Sequence, residues 1–441
     1  MQLTDYEHGV VPLDQRKNWF SIAAVWVAIG IDLSGAFLGI ELAAGMDFGS
    51  ALAATMLGSL LLGLLAMCTA YVGASSGLSA AMISRAVFGK AGGAILALAI
   101  SISLVGWFSV QAGFFGVNAQ SAFSALTGFD IPVQVFVAVG GVLMVLTAFW
   151  GYRSINRLSA LAVPLLLILL VVGVIVAFVT RGTDGLTAEV TPLFTFGGAV
   201  SLVMGIFILG VVLAPDMARW AKTPRQAMAA GFVGFFFGNS IILVVALLLA
   251  RVLDQTDLMA MFFAISLGGA AVIVLILAQW TTNTTNVYSA GLAFSSISPK
   301  FRRRTVTAVL GAIGVLLGVL GAVDYFVPFI LLIGTIIAPF GGVYLASFLA
   351  ERRAARWAPG AAVARVESWA IAAWALGILA AFATTNPLDG PGFGWFTLTT
   401  ISALDGLLVS FVAYLVLFGV RRMLSQNRTV TPDAPATEVA A

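Results

Sequence analysis

Long apolar stretches separated by short polar ones run the whole length of the chain. Twelve apolar segments can be drawn, at roughly 19–43, 48–72, 91–119, 131–150, 155–179, 195–214, 226–250, 258–294, 305–322, 325–348, 367–384 and 396–419, each at least 18 residues long. That is the length an α-helix needs to cross the hydrocarbon of a bilayer. Backbone amides in hydrocarbon find partners only in one another, so the pattern predicts an all-α polytopic membrane protein with twelve transmembrane helices. The stretch 74–92, with Arg85 and Lys90, reads as an amphipathic helix lying at the membrane surface.

One segment departs from the pattern. The wholly apolar run 270–277 is followed by Ala278-Gln279-Trp280-Thr281-Thr282-Asn283-Thr284-Thr285-Asn286, a polar island inside the eighth segment. Hydrocarbon cannot satisfy amides and hydroxyls, so the island must face a partner, an ion, a ligand or water. At 100° per residue Gln279, Asn283 and Asn286 share one face, while Ala278, Thr281, Thr282 and Thr285 fall on the adjoining one. Amides suit a neutral polar molecule; hydroxyls and carbonyls suit a hard cation. A buried solute-plus-ion site is the expectation.

Two other segments are rich in helix breakers. The first reads Gly30-Ile31-Asp32-Leu33-Ser34-Gly35-Ala36-Phe37-Leu38-Gly39, and the sixth carries Gly197-Gly198, Gly205 and Gly210. They lie five spans apart, in equivalent positions of two five-helix halves, and because five is odd the halves are inverted. Paired interrupted helices in inverted repeats point to a transport site at the bilayer midplane. Close helix packing alone also accounts for such glycines. The expected architecture is a five-plus-five inverted-repeat core with broken helices 1 and 6, plus two C-terminal helices.

Composition sharpens the class. Of 441 residues 61% are hydrophobic and 9% charged, where soluble domains hold roughly 25% charged residues. The net charge of +3 is an orientation signal: with the N-terminus inside, 20 of 22 Lys and Arg fall on the inner side, leaving only Arg181 and Arg251 outside. Both termini are therefore expected in the cytoplasm of a multi-pass protein of the inner or plasma membrane, with no nucleic-acid partner. The expected organisation is a cytoplasmic tail at 1–18, a core at 19–348 (repeats at about 19–179 and 195–348), a basic linker at 349–366, two helices at 367–420 and a tail at 421–441. No cleavable signal peptide is expected, since the polar 1–18 runs into a first span too long for one. The single Cys68 excludes internal disulfides and thiolate metal clusters, and the single His8, in the tail, excludes a histidine proton relay within the membrane. There is no phosphate-binding loop for ATP-driven transport, and no grouping of acids and histidines that would support an enzyme.

The motifs Gly106-Trp107-Phe108-Ser109-Val110-Gln111, Gly205-Ile206-Phe207 with Pro215-Asp216-Met217-Ala218-Arg219-Trp220, and the polar island together resemble the nucleobase:cation symporter-1 family, in particular its cytosine permease branch, over roughly residues 8–425. The resemblance implies uptake of a flat heterocycle coupled to sodium or protons, with no other cofactor. It implies that Trp107 and Phe207 sandwich the base, that Asn283 reads the ring edge with Gln111, Asn286 and Gln279 nearby, and that Ala28, Ile31, Ala278, Thr281 and Thr282 ligate sodium. Stacking suits such a ligand because every base has two π-faces. Two positions depart from the cytosine permease pattern: Leu104 stands for a glutamine and Ile206 for a serine.

Asp32 stays open at this stage. A carboxylate near the bilayer centre costs at least about 2.5 kcal/mol, so it serves as a proton-coupling acid, a sodium ligand, an acceptor for the substrate, or a cap for unwound backbone. The expected function is a monomeric secondary active importer of cytosine or a related pyrimidine or purine. The alternatives are a proton-coupled importer of another nitrogen heterocycle (a purine, hydantoin or allantoin, or a thiamine-precursor pyrimidine) and a non-transporting membrane receptor.

Overall fold

The computed structural model describes residues 11–150, 153–297, 300–354, 357–358 and 361–428. His8 and the tails at 1–10 and 429–441 lie outside them. The described residues form α-helices and short 3-10 turns with no strand; the nearest thing to one is an isolated parallel bridge between Lys17 and Ala221. The helices are α1 (Trp19–Gly30), α2 (Leu33–Gly45), α3 (Phe48–Ser76), α4 (Ala80–Phe88), α5 (Lys90–Thr127), α6 (Val133–Trp150), α7 (Arg153–Arg181), α8 (Phe196–Val212), α9 (Pro215–Ala218), α10 (Pro224–Leu253), α11 (Leu258–Ala264), α12 (Gly268–Ser295), α13 (Arg303–Val319), α14 (Phe326–Glu351), α15 (Ser368–Thr384) and α16 (Ser402–Arg428). Six are long and apolar enough to cross a membrane, and α1 with α2 make a seventh candidate, bent by 55° at their junction.

Local chemistry sets these boundaries. Asp32, Asp47, Ser79, Thr195, Thr223 and Asp257 each accept a backbone N–H of the first turn that follows them, satisfying donors a helix start leaves bare. The surface stretch 74–92 resolves into the end of α3, a left-handed turn at Gly77 and the nine-residue α4. The eighth apolar segment divides at Ser266, which holds a positive φ of 61°, into α11 and α12. The last apolar segment turns helical only at Ser402, because Asp405 accepts both the N–H and the hydroxyl of Thr399 and holds the chain before it in a turn.

The expected interruption of the sixth segment at its glycines is not found. Helix α8 runs unbroken through Gly197, Gly198, Gly205 and Gly210, and the chain turns only at Leu213–Ala214, before α9. The glycines serve close approach instead: a β-carbon on Gly205 would lie 2.8 Å from the Ile330 carbonyl oxygen of α14. Between α1 and α10 the same device is reciprocal, since a β-carbon on Gly30 would lie 2.8 Å from Gly238 Cα. Such small-residue contacts let helix backbones touch where lipid offers no hydrophobic drive for association.

Carboxylates fasten both ends of helix α8 to distant parts of the chain. At its start Asp389, in the loop between α15 and α16, accepts the Thr195 N–H and hydroxyl, both at 2.7 Å. Burial pushes the Asp389 carboxyl up, and the two Thr195 bonds pull it back down. Beyond its end Asp216 accepts the Ala80 N–H at 2.8 Å, at the first turn of α4. Asp389→Ala is expected to destabilise the protein by about 1–2 kcal/mol, because it strands the Thr195 donors. Thermal unfolding in detergent should show a melting temperature a few degrees lower, with Asp389→Asn recovering part of the loss. An unchanged melting temperature would mean that water replaces the carboxylate.

Candidate functional site

The bend between α1 and α2 supplies the geometry. The last backbone bond of α1 runs from Ile31 N–H to Val27 O, and Gly35 N–H donates to Asp32 O as α2 begins. No backbone bond outside the helices ends on the carbonyls of Ala28 or Ile31. Asp32 caps α2 through Ser34 N–H, at 3.3 Å from its Oδ2. It caps a helix, one of the four roles the sequence left open, and the cap bond falls on a single oxygen.

The same Oδ2 also anchors a relay across three elements. Gln111 of α5 donates from Nε2 to Asp32 Oδ2 at 3.2 Å and to Ser34 Oγ at 2.6 Å, while its Oε1 accepts Asn286 Nδ2 of α12 at 3.3 Å. Gln111 and Ser34 are buried, whereas Asp32 and Asn286 are half-buried. Among the described residues no Lys or Arg pairs with Asp32. The carboxylate thus has neutral donors and no counter-charge, and a buried charge of that kind calls for a cation or a proton.

Of the residues expected for a cation, Ala28 and Ile31 lie at the end of α1 and at the bend, and Ala278, Thr281 and Thr282 lie within about one turn of one another on α12, which packs against α2. Thr281 Oγ1 donates to Ala278 O at 3.1 Å. Carbonyls at the bend and hydroxyls on α12 are the kind of oxygen donors that a hard monovalent ion takes. Among the described residues no group of three or more His, Cys, Asp or Glu side chains could hold a metal ion.

The amides of the island separate. Asn286 belongs to the relay, but Asn283 is fully buried and turned away, its Nδ2 donating to Phe108 O at 3.1 Å and approaching Met144 Sδ at 3.4 Å. It sits beside an apolar cluster of Phe108, Phe115, Met144, Ala148 and Val287 between α5, α6 and α12. Here the sequence expectation of a ring-reading Asn283 meets an interhelical hydrogen bond instead. Gln279 is also buried, and neither its Oε1 nor its Nε2 has a partner.

Trp107 is buried one turn before Gln111, its ring edge-on to Phe329 at 5.2 Å and to Phe326 at 6.3 Å, both on α14. Phe207 is half-buried on α8. The rings in contact with Trp107 are those of α14 and not Phe207. An aromatic group that the sequence reading left out continues outward from the bend: Phe37 of α2 stacks on Phe114 of α5 at 3.6 Å and 7°, and Phe114 meets Phe326 edge-on at 4.9 Å. Ser34 was also left out. Its signal was its place two residues after Asp32 in the breaker segment; Phe37 and Phe114 carry no signal among 32 phenylalanines.

With this geometry established, comparison with known proteins is informative. The family described as "Permease for cytosine/purines, uracil, thiamine, allantoin" matches residues 11–411. The cytosine permease of Escherichia coli (strain K12) is 31% identical over 383 residues, 86% of this chain and 89% of that protein. The hydantoin permease of Microbacterium maritypicum is 22% identical over 370 residues, 76% of this chain and 73% of that one. Among solved structures, the inward-facing conformation of Mhp1 aligns with a TM-score of 0.79 at 19% identity, covering 97% of this chain and 95% of that one. Mhp1 in a closed conformation with bromovinylhydantoin bound, a nucleobase-cation-symport-1 family transporter, gives 0.71 at 19% identity, covering 96% of each chain.

Proposed function

The chain belongs to the family of permeases for cytosine/purines, uracil, thiamine and allantoin, a family of membrane transporters rather than enzymes, and from that premise we propose that it is a secondary active importer of a nucleobase-like heterocycle driven by a co-transported cation. The observation that carries the reading is the relay Asp32–Gln111–Asn286, which presents acceptors and donors from three helices at a helix break. A flat heterocycle edged with N–H and C=O groups complements such a surface, and its π-face suits Trp107 and Phe207.

The proposed architecture is twelve spans in two inverted five-helix repeats followed by α15 and α16, with both termini cytoplasmic and the chain working as a monomer. Sodium held by carbonyls of Ala28, Ile31 and Ala278 and hydroxyls of Thr281 and Thr282 would join the α1–α2 bend to α12. Coupling requires that ion and substrate prefer the same conformation, since a ligand shifts an equilibrium only by its differential affinity. Gln111, Asn286 and Asp32 are the proposed readers of the heterocycle, while Asn283 and Gln279 shape α12 behind them.

Uptake of radiolabelled cytosine into cells or proteoliposomes, competed by a panel of pyrimidines, purines and hydantoins with and without sodium, tests the proposal. Competition by none of the panel would overturn it. Thr282→Ala removes one proposed ion ligand and is expected to raise the half-saturating sodium concentration about tenfold. An unchanged sodium response favours the second reading, proton coupling through Asp32, which the lack of a basic partner for that carboxylate supports.

A further inference from the structure

A cavity of about 450 Å³ opens between the end of α3 and the end of α14, lined by Tyr71, Ser75, Ser76, Phe348, Arg352, Arg353 and Trp357. None of its lining residues belongs to the Asp32 relay, and it lies at the helix ends that the charge pattern assigns to the cytoplasmic side. Its chemistry is one-sided: two arginines and Ser75 line it, and among the described residues no acidic side chain does. The nearest acid in sequence, Glu351, is engaged elsewhere, accepting from Ser347 at 3.4 Å and from the Tyr414 hydroxyl at 3.2 Å. The Ser76 hydroxyl is spent locally, donating to Val72 O at 2.7 Å and accepting Leu78 N–H.

The decisive member is Trp357. It is 5% exposed, with its ring edge-on to Phe348 at 5.0 Å, and Phe348 in turn meets Tyr71 edge-on at 6.1 Å. Its indole N–H has no acceptor, and a buried donor without a partner is costly and rare. The C-terminal ends of α3 and α14 attract positive charge by their dipoles, which accounts for the arginines. That attraction does not account for the orphaned indole. A ligand rich in acceptors accounts for both.

We propose that this cavity binds the phosphodiester head group of an anionic lipid of the inner leaflet, with Arg352 and Arg353 on the phosphate oxygens and Trp357 Nε1 completing the cradle. Guanidinium forks match phosphate geometry, and basic pockets between helix ends on the cytoplasmic side are where lipid head groups are recognised. The aromatic wall of Tyr71, Phe348 and Trp357 gives the glycerol and upper acyl chain an apolar surface at the depth where such rings sit. The choice of a lipid over a soluble phosphate rests on the proposed orientation. The test below reads binding without transport, so its failure and a failure of the uptake reading are distinguishable.

Full-length purified protein in neutral detergent is melted with increasing dioctanoyl phosphatidylglycerol, dioctanoyl phosphatidylcholine or inorganic phosphate. The phosphatidylglycerol is expected to raise the melting temperature saturably and the phosphatidylcholine to leave it unchanged. R352Q/R353Q, at exposed positions, should abolish the shift, and Trp357→Phe, which keeps the ring and removes only the N–H, should weaken the apparent affinity roughly tenfold. A shift with inorganic phosphate that the same variants abolish supports the site and assigns it to a soluble phosphate compound. Equal shifts with the two lipids, a shift that survives R352Q/R353Q, or no shift with either phosphate probe overturns the proposal.

Discussion

Asp32→Asn is expected to lower the kcat/KM of heterocycle uptake by about 100-fold while leaving folding intact, the loss that follows when charge-assisted hydrogen bonds contributing about 1.5–3 kcal/mol become neutral ones. The substitution is informative because asparagine caps helices as well as aspartate does. The Ser34 N–H bond that starts α2 therefore survives. What disappears is the negative charge that no Lys or Arg among the described residues balances, and with it the charge assistance to the Gln111 amide bond on the same oxygen. The pattern of loss separates the roles. If Asp32 carries the coupling proton, residual uptake in the variant no longer responds to a proton gradient. If it balances a cation on the substrate, KM rises for cationic heterocycles and stays the same for neutral ones. Uptake near the wild-type level with unchanged ion dependence would leave Asp32 as a helix cap alone.

Trp107→Ala is expected to bring saturable uptake to background. A base stacked on one aromatic face gains about 1–3 kcal/mol, and the substitution also removes the body against which Phe326 and Phe329 rest. Truncating a buried tryptophan costs about 3–5 kcal/mol, so expression and monodispersity must be measured alongside uptake. Trp107→Phe controls for this, since it keeps a π-face and most of the packing and should restore the greater part of transport. Near-normal uptake by a well-folded Trp107→Ala would dispose of stacking at this position.

The parts of the molecule that were legible in sequence are those that hydrocarbon enforces. Length and polarity place the helices, and the breakers around Asp32 foretell the bend while leaving open which of four roles its carboxylate takes. The glycines of the sixth segment are the instructive failure. A missing β-carbon signals either a break or a close neighbour, and only the partner decides which; in α8 the partner at Gly205 is α14, 125 positions later at Ile330. The polar island was legible as a feature but not in its division. Helical angle groups Asn283 with Asn286, yet the choice between the bend and the Phe108 carbonyl depends on how α12 is rotated against α5. The Trp357 cavity was invisible for a similar reason, since its two walls are helix ends nearly three hundred residues apart.

The carboxylate that caps α8 has a consequence for biogenesis. Thr195 meets Asp389 across 194 residues of chain, so the start of α8 cannot be sealed until the α15–α16 loop has been made. At about 5–20 residues per second, synthesis of that interval takes roughly 10–40 s. During it the nascent α8 has only its Thr195 cap, whose own N–H and hydroxyl wait for the carboxylate. The α15–α16 hairpin therefore acts as the checkpoint for a helix from the middle of the chain.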